Sequence, residues 1–194
     1  MKKQISLIIL VFILGHFSCN KSSCDGERLK SPPYYDIKGL RNDISRITRN
    51  SVKPVENDTI AYHNLSLRIN ADVNYYFTKR NGINFGNLAF ACEPQPHGYL
   101  GTKEMLEDLI ITSNFDFDDL HPKGSNLKDL FSVLDDNKNI SLTEYLSKKP
   151  LVAPQYLHLR LRKKPTTENQ KFKIAMYLST DEQYFTETIT IKIK

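Results

Sequence analysis

The chain has no tryptophan, only three cysteines, and no long apolar run beyond its first twenty residues. Each of these absences excludes something. Without tryptophan the largest aromatic platform for a sugar ring is missing, although ten tyrosines remain, many of them paired or close to phenylalanine, in "PPYY", "NYYF" and "QYF". Three cysteines with no clustered histidines do not make up the four-ligand set that structural zinc requires. No G-x-S-x-G elbow, P-loop or G-x-G-x-x-G turn occurs, so no motif supports nucleophilic catalysis or nucleotide binding, and no cofactor is expected. Internal repeats, low-complexity tracts and coiled-coil heptads are also missing.

What is present begins with a leader. Met1, Lys2 and Lys3 precede "QISLIILVFILGHF", and the next charge is Lys21. A short cationic stretch followed by about a dozen mostly apolar residues is the pattern of a secretory signal. A spanning helix wants about 20 such residues, more than this run supplies. An ordinary signal peptidase site needs small residues at two spaced positions, and "GHFSC" supplies them poorly. "HFSC" instead resembles a bacterial lipobox, with Ser18 before Cys19, and departs from it at His16 and Phe17. The expected organisation is a lipoprotein signal over 1–18, a lipid-anchored tether over 19–33 and one folded domain over 34–194. Cys19 is the expected lipidation site, and two or three acyl chains there would hold the protein at a membrane.

Cleavage after residue 18 leaves 176 of 194 residues and, by removing Lys2 and Lys3, lowers the formal net charge from +5 to +3. That modest excess, in an exported chain, argues against nucleic acid as a partner. Once Cys19 carries lipid, Cys24 and Cys92 are the remaining thiols. In an oxidising compartment an even pair reads as a disulfide. It would close a loop of nearly seventy residues, worth about 4 kcal/mol in the chain-entropy account. The alternative is a buried free thiol, because Cys92 ends the apolar run "NLAFAC".

The body reads as mainly β. "YYDIKGL" (34–40) is a strand candidate and 50–58 a loop. In "TIAYHNLSLRINADVNYYF" the apolar residues Leu65, Leu67, Ile69, Ala71 and Val73 fall on odd positions, the alternation of a strand with one face buried. Asn81-Gly82 signals a tight turn and "LAFAC" a strand beyond it. "LIITS" (109–113) is another strand by its β-branched content. Between 114 and 150 the pattern changes to a short helical insertion, with one helix over 126–134 and another opened by the capping box Ser141…Glu144. Three alternating runs close the chain: Leu157/Leu159/Leu161, Phe172/Ile174/Met176/Leu178 and Ile189/Ile191/Ile193. They read as a three-stranded meander. The whole suggests an antiparallel β-sandwich, immunoglobulin-like or related.

Site candidates are few. Asp116, Asp118, Asp119 and His121 crowd one loop and are the nearest approach to a metal-ligand set. Phe115 and Phe117 interleave with them, so a solvated loop with packed aromatics is the preferred reading. "DDNKNISLTE" (135–144) is two residues short of a calcium loop and lacks its glycine, which makes it a turn and helix cap. His97 and His158 have no neighbouring nucleophile motif. "HLRLRKKP" places His158, Arg160 and Arg162 on one strand face, with Lys163 and Lys164 beyond. The preferred role for these cations is to guard an edge strand against pairing; the alternative is contact with anionic glycans or lipid headgroups.

The leader, "ACEPQPHGYLGTKEMLEDLIITSNFDF", "HPKGSNLKDLF", "SLTEYL" and the closing "YLHLRLRKKP…FKIAMYLSTDEQYF…ETITIKIK" together resemble a group of Bacteroidota lipoproteins of about this length, which carry a domain of unknown function. The resemblance implies an envelope lipoprotein with a sandwich fold and brings no catalytic residues. It implies outer-membrane attachment through the N-terminal lipid, with the protein or glycan partner unknown. For such an origin "DTI" (58–60) is similar to an O-glycosylation signal, with Thr59 as acceptor. The expected function is a non-catalytic binding or accessory module. The alternatives are an envelope hydrolase or metal-dependent enzyme using the Asp116–His121 loop, and a structural subunit of a surface assembly that pairs through a bare sheet edge.

Overall fold

The structure is a computed structural model that describes residues 31–48, 51–54, 59–77, 96–135 and 138–194. Cys19, Cys24 and Cys92 lie outside the described residues, as do the leader, most of the tether, Asn81-Gly82 and "LAFAC".

Alternating apolar residues build the largest sheet. Its strands are β1 (Tyr34–Thr48), β2 (Ser51–Pro54), β4 (Leu65–Tyr76), β6 (Phe131–Asp135), β7 (Lys138–Ser141) and β8 (Tyr156–Leu161). They run in the order β2-β1-β4-β8-β6-β7, every neighbouring pair antiparallel. The inward face carries Leu65, Leu67, Ile69, Leu157, Leu159 and Leu161, all buried. Each contributes about 1.5–3 kcal/mol by leaving water. A second sheet, β11-β10-β5, packs over this face from β5 (Leu106–Ser113), β10 (Phe172–Leu178) and β11 (Gln183–Glu187). Phe131 of one sheet and Phe172 of the other meet edge to face, centroids 5.5 Å apart, inside a core continuous between the sheets. A small third sheet closes one end: β12 (Ile191–Ile193) lies parallel to β3 (Thr59–Ile60) and antiparallel to β9 (Asn169–Gln170). The fold is a mainly antiparallel β-sandwich with, among the described residues, one short α-helix, α1 (Leu142–Ser147).

Several local expectations are corrected. The three closing runs do not form a meander, because β8, β10 and β12 belong to three different sheets. The polar stretch after Leu161 carries the chain across the sandwich, and Thr188, not Ile189, is the buried residue before β12. Its hydroxyl accepts the Phe172 N–H at 2.9 Å, which turns Ile189 outward. Residues 126–134 are not a helix. A 3₁₀ turn at Lys128–Leu130 leads straight into β6, which pairs with β7 as a hairpin. Part of the loop expected at 50–58 forms β2, an edge strand that ends on Pro54, where no ladder donor is needed. The long run from Thr59 is interrupted by a 3₁₀ turn at Tyr62–Asn64. The Ser141 cap forms as expected, its Oγ accepting the Glu144 N–H at 3.1 Å.

Candidate functional site: the outward face of the large sheet

The acidic loop carries Asp116, Asp118, Asp119 and His121. Asp118 is buried and its Oδ1 accepts hydrogen bonds from the backbone N–H of Leu120 (3.0 Å) and His121 (2.9 Å). The same oxygen lies 2.7 Å from His121 Nδ1, and Oδ2 accepts from Lys163 Nζ at 2.7 Å. The Lys163 ammonium above all, helped by His121 and the backbone donors, holds the Asp118 carboxyl well below the usual carboxylate range. The other ring nitrogen of His121 faces Asp129 at 3.3 Å, so neither nitrogen is left to activate a nucleophile. Asp116 Oδ1 accepts the Lys123 N–H instead, and Asp119 is exposed. Of the four residues only Asp118 and His121 are thus brought together. Among the described residues no group of three or more His, Cys, Asp or Glu is arranged to hold a metal ion. Asp118 acts as a staple between the loop and the segment after β8. Thr59 stands half-buried in β3, its carbonyl accepting from Arg46 Nη2 at 2.9 Å.

The cations of "HLRLRKKP" find a different setting from the one expected. β8 is an interior strand, paired with β4 on one side and β6 on the other, so its basic residues guard no edge. The period-two alternation that buries its leucines turns Tyr156, His158 and Arg160 onto the outward face. Antiparallel register then assembles three rows across the strands. Ser45, Ser66, Arg160 and Ser132 form one; Asp43, Arg68 and His158 a second; Arg41, Asn70 and Tyr156 a third. The serines are short, and Ser45 and buried Ser66 make a floor. Over it lies a depression of about 750 Å³ walled by Arg68, His158, Arg160, Leu134 and Ile189.

The charges on this face are unequal in their matching. Asp72 is bound by Arg41 at 2.5 Å, Asp43 accepts from Asn70 Nδ2 at 2.7 Å, and Glu187 at the rim is paired with Lys171 at 2.8 Å. Arg68 and Arg160 have no carboxylate within ion-pair distance among the described residues. The guanidinium of Arg68 lies instead 5.3 Å from the centre of the Tyr156 ring, a cation–π contact. Tyr156 in turn meets His158 edge-on at 5.8 Å. Burial, then the charges of Arg68 and Arg160, push the His158 imidazole below its usual range, so it is neutral at pH 7. Among the described residues the charge left without an ionic partner is thus two guanidinium groups against one carboxylate, that of Asp43, so the excess is cationic.

Toward the other end of the sheet two aromatic pairs are directly opposed across β1 and β4 on alternate sides: Tyr34 stacks on Tyr76 at 5.8 Å, and buried Tyr35 meets the more exposed Tyr75 at 6.5 Å. His97 packs on Tyr75 at 5.3 Å. The turn that carries His97 seats here because of Gly98, which has φ +73°. A Cβ at that position would lie 2.8 Å from the Tyr35 ring and 2.9 Å from the Tyr75 ring. Two further depressions, of about 550 and 450 Å³, share Tyr156 and Gln155 with each other; the first also shares Arg68, and the second His158, with the serine-floored one. The three therefore adjoin one another. Tyr156, Tyr99 and Tyr75 are 57%, 48% and 39% exposed, so their rings form the surface and not the core.

Sequence reasoning found His158 and Arg160 but assigned them to an edge, and it passed over Arg68 and the serine floor. The available signal was the even-numbered set in β4, where Ser66, Arg68 and Asn70 alternate with buried apolar residues. Comparison of the chain with protein families, with characterised proteins and with solved structures returns no match. The reading of this face therefore rests on its own geometry.

Proposed function

We propose that this protein is a non-catalytic binding module, tethered to the bacterial cell envelope through lipid on Cys19, that holds an anionic ligand on the outward face of the large sheet. The observation that carries the binding role is the pair Arg68 and Arg160. Two guanidinium groups without carboxylate partners among the described residues flank a depression on interior strands, where they serve no edge protection. Guanidinium is the side chain best matched to carboxylate, sulfate or phosphate oxygens, because its planar fork donates two parallel hydrogen bonds. The tether and anchor are supported by the lysine pair, the apolar run and the "HFSC" sequence. A disulfide between Cys24 and Cys92, and attachment at the outer membrane, belong to the same proposal.

The test is a sulfate titration of the full chain in detergent micelles, followed by ¹⁵N NMR. Saturable shifts concentrated at Arg68, His158 and Arg160, abolished in R68A/R160A, support the reading. Shifts spread evenly over the surface, or unaffected by the double substitution, overturn it.

A further inference from the structure

The chemistry of the ligand can be narrowed, on the basis of the anion-binding reading. We propose that the occupant is an acidic polysaccharide, bound as an extended chain whose carboxylates meet Arg68 and Arg160 while its sugar rings lie on Tyr156 and Tyr75.

Three features point there. The depressions adjoin one another through shared lining residues, so together they reach further than a pit for one small molecule. Along β8 the residues Tyr156, His158 and Arg160 are two positions apart, which places neighbouring outward groups about 6.7 Å from one another. An aromatic ring and a cation are then separated along the strand by about twice that, a pattern suited to a polymer that repeats ring and charge. The floor is hydroxylic, with Ser45 and Ser66 in register beside Arg160, and Asn70 beside Tyr156. Hydroxyl and amide groups are the natural partners of sugar hydroxyls, because they both donate and accept. The rings offer flat apolar faces for the C–H side of a pyranose, with a polar tip left in water.

A lipid headgroup is the competing anion. The cations here stand beside a floor of short side chains within a depression, where a planar membrane surface does not reach. The polysaccharide accounts for the aromatic end of this surface, and a headgroup leaves it unused.

The test uses the full chain in detergent micelles, with binding measured by calorimetry to a galacturonate hexamer, galacturonate monomer, maltohexaose and glycerol phosphate. The hexamer is expected to bind at least about tenfold more tightly than the monomer, and maltohexaose, which is neutral, to bind far more weakly. Y156A, at an exposed position, is expected to remove most of the hexamer's advantage over the monomer. A hexamer that binds no better than the monomer overturns the inference. So does glycerol phosphate binding as tightly as the hexamer, which assigns the face to headgroups. If sulfate still shifts Arg68 and Arg160 while the hexamer does not bind, this inference falls and the anion site stands. If neither ligand binds, both fall.

Discussion

The guanidinium of Arg68, on β4, lies 5.3 Å from the ring centre of Tyr156, on β8, and His158 meets the same ring edge-on from two residues further along. The three side chains come from adjacent strands and share one electrostatic environment. Removing either arginine charge should therefore be felt at His158. R68A and R160A are each predicted to raise the His158 pKa toward its usual range, with burial accounting for the depression that remains. The charged and titratable groups on the face are Arg41, Asp43, Arg68, Asp72, Tyr156 and Arg160, with Glu187 and Lys171 at the rim. A ¹H NMR pH titration of the imidazole reads the effect directly, and an unchanged midpoint in both variants would show that the arginines do not set it.

Glu104 is buried between the sheets, its Oε2 accepting the Ile37 N–H at 3.0 Å and the Thr102 hydroxyl at 3.2 Å. Burial, and to a lesser degree neighbouring Glu182, raise its pKa against these stabilising bonds. The folded state thus holds the proton more tightly than the unfolded chain. Stability from this group is full at acid pH and is lost as pH rises through the raised folded value. E104Q keeps an acceptor for both donors and cannot ionise. It is predicted to gain on the wild type by several degrees in Tm between pH 4 and pH 8. Parallel Tm-versus-pH curves would contradict this.

Asp118 gives the opposite sign. Its pKa is depressed, chiefly by Lys163, so its contribution is present above the usual carboxylate range and is lost as pH falls through the depressed folded value. D118N should lower the Tm at pH 7, and the gap from wild type should shrink below pH 4. Thermal melts across that window decide it.

Tyr35 donates its hydroxyl to the Ala153 carbonyl at 2.7 Å from a buried position. Burial, with Glu104 nearby, pushes its pKa up to about 12. Y35F leaves a buried carbonyl without that donor and is predicted to cost about 1–2 kcal/mol in urea unfolding. A cost near zero would mean that another donor replaces it.

Mass spectrometry of the native protein tests the anchor. The chain should lack its first 18 residues, carry acyl chains on Cys19 and resist alkylation until reduced. A retained leader, or a cut without lipid, removes the tether from the proposal. Cys24 and Cys92 alkylated without reduction would leave the anchor but not the disulfide.

What the sequence disclosed followed the range of the interactions. The Ser141…Glu144 cap depends on residues three apart and was fully legible. So was the alternation of Leu65, Leu67 and Ile69, and of Leu157, Leu159 and Leu161, because one buried face imposes it within a single strand. Sheet membership was not legible. The same alternation serves either layer of a sandwich, so nothing local in Phe172–Leu178 says that it faces Phe131 and does not pair with β8. The site was half visible for the same reason. His158 and Arg160 are neighbours along one strand, but Arg68, Ser66 and Ser45 join them only through antiparallel register. Whether β8 lies at an edge or in the interior, which decides what its cations are for, is set by β4 and β6 far away in the chain.

The measurement closest to the central claim is the pKa of His158 with and without saturating sulfate. An anion seated between Arg68 and Arg160 cancels much of the field that disfavours the imidazolium. The account predicts that the His158 pKa rises when sulfate binds and that sulfate binds more tightly as pH falls through that titration. An anion that binds while the His158 titration stays where it was would place the ligand elsewhere and contradict the assignment of this face.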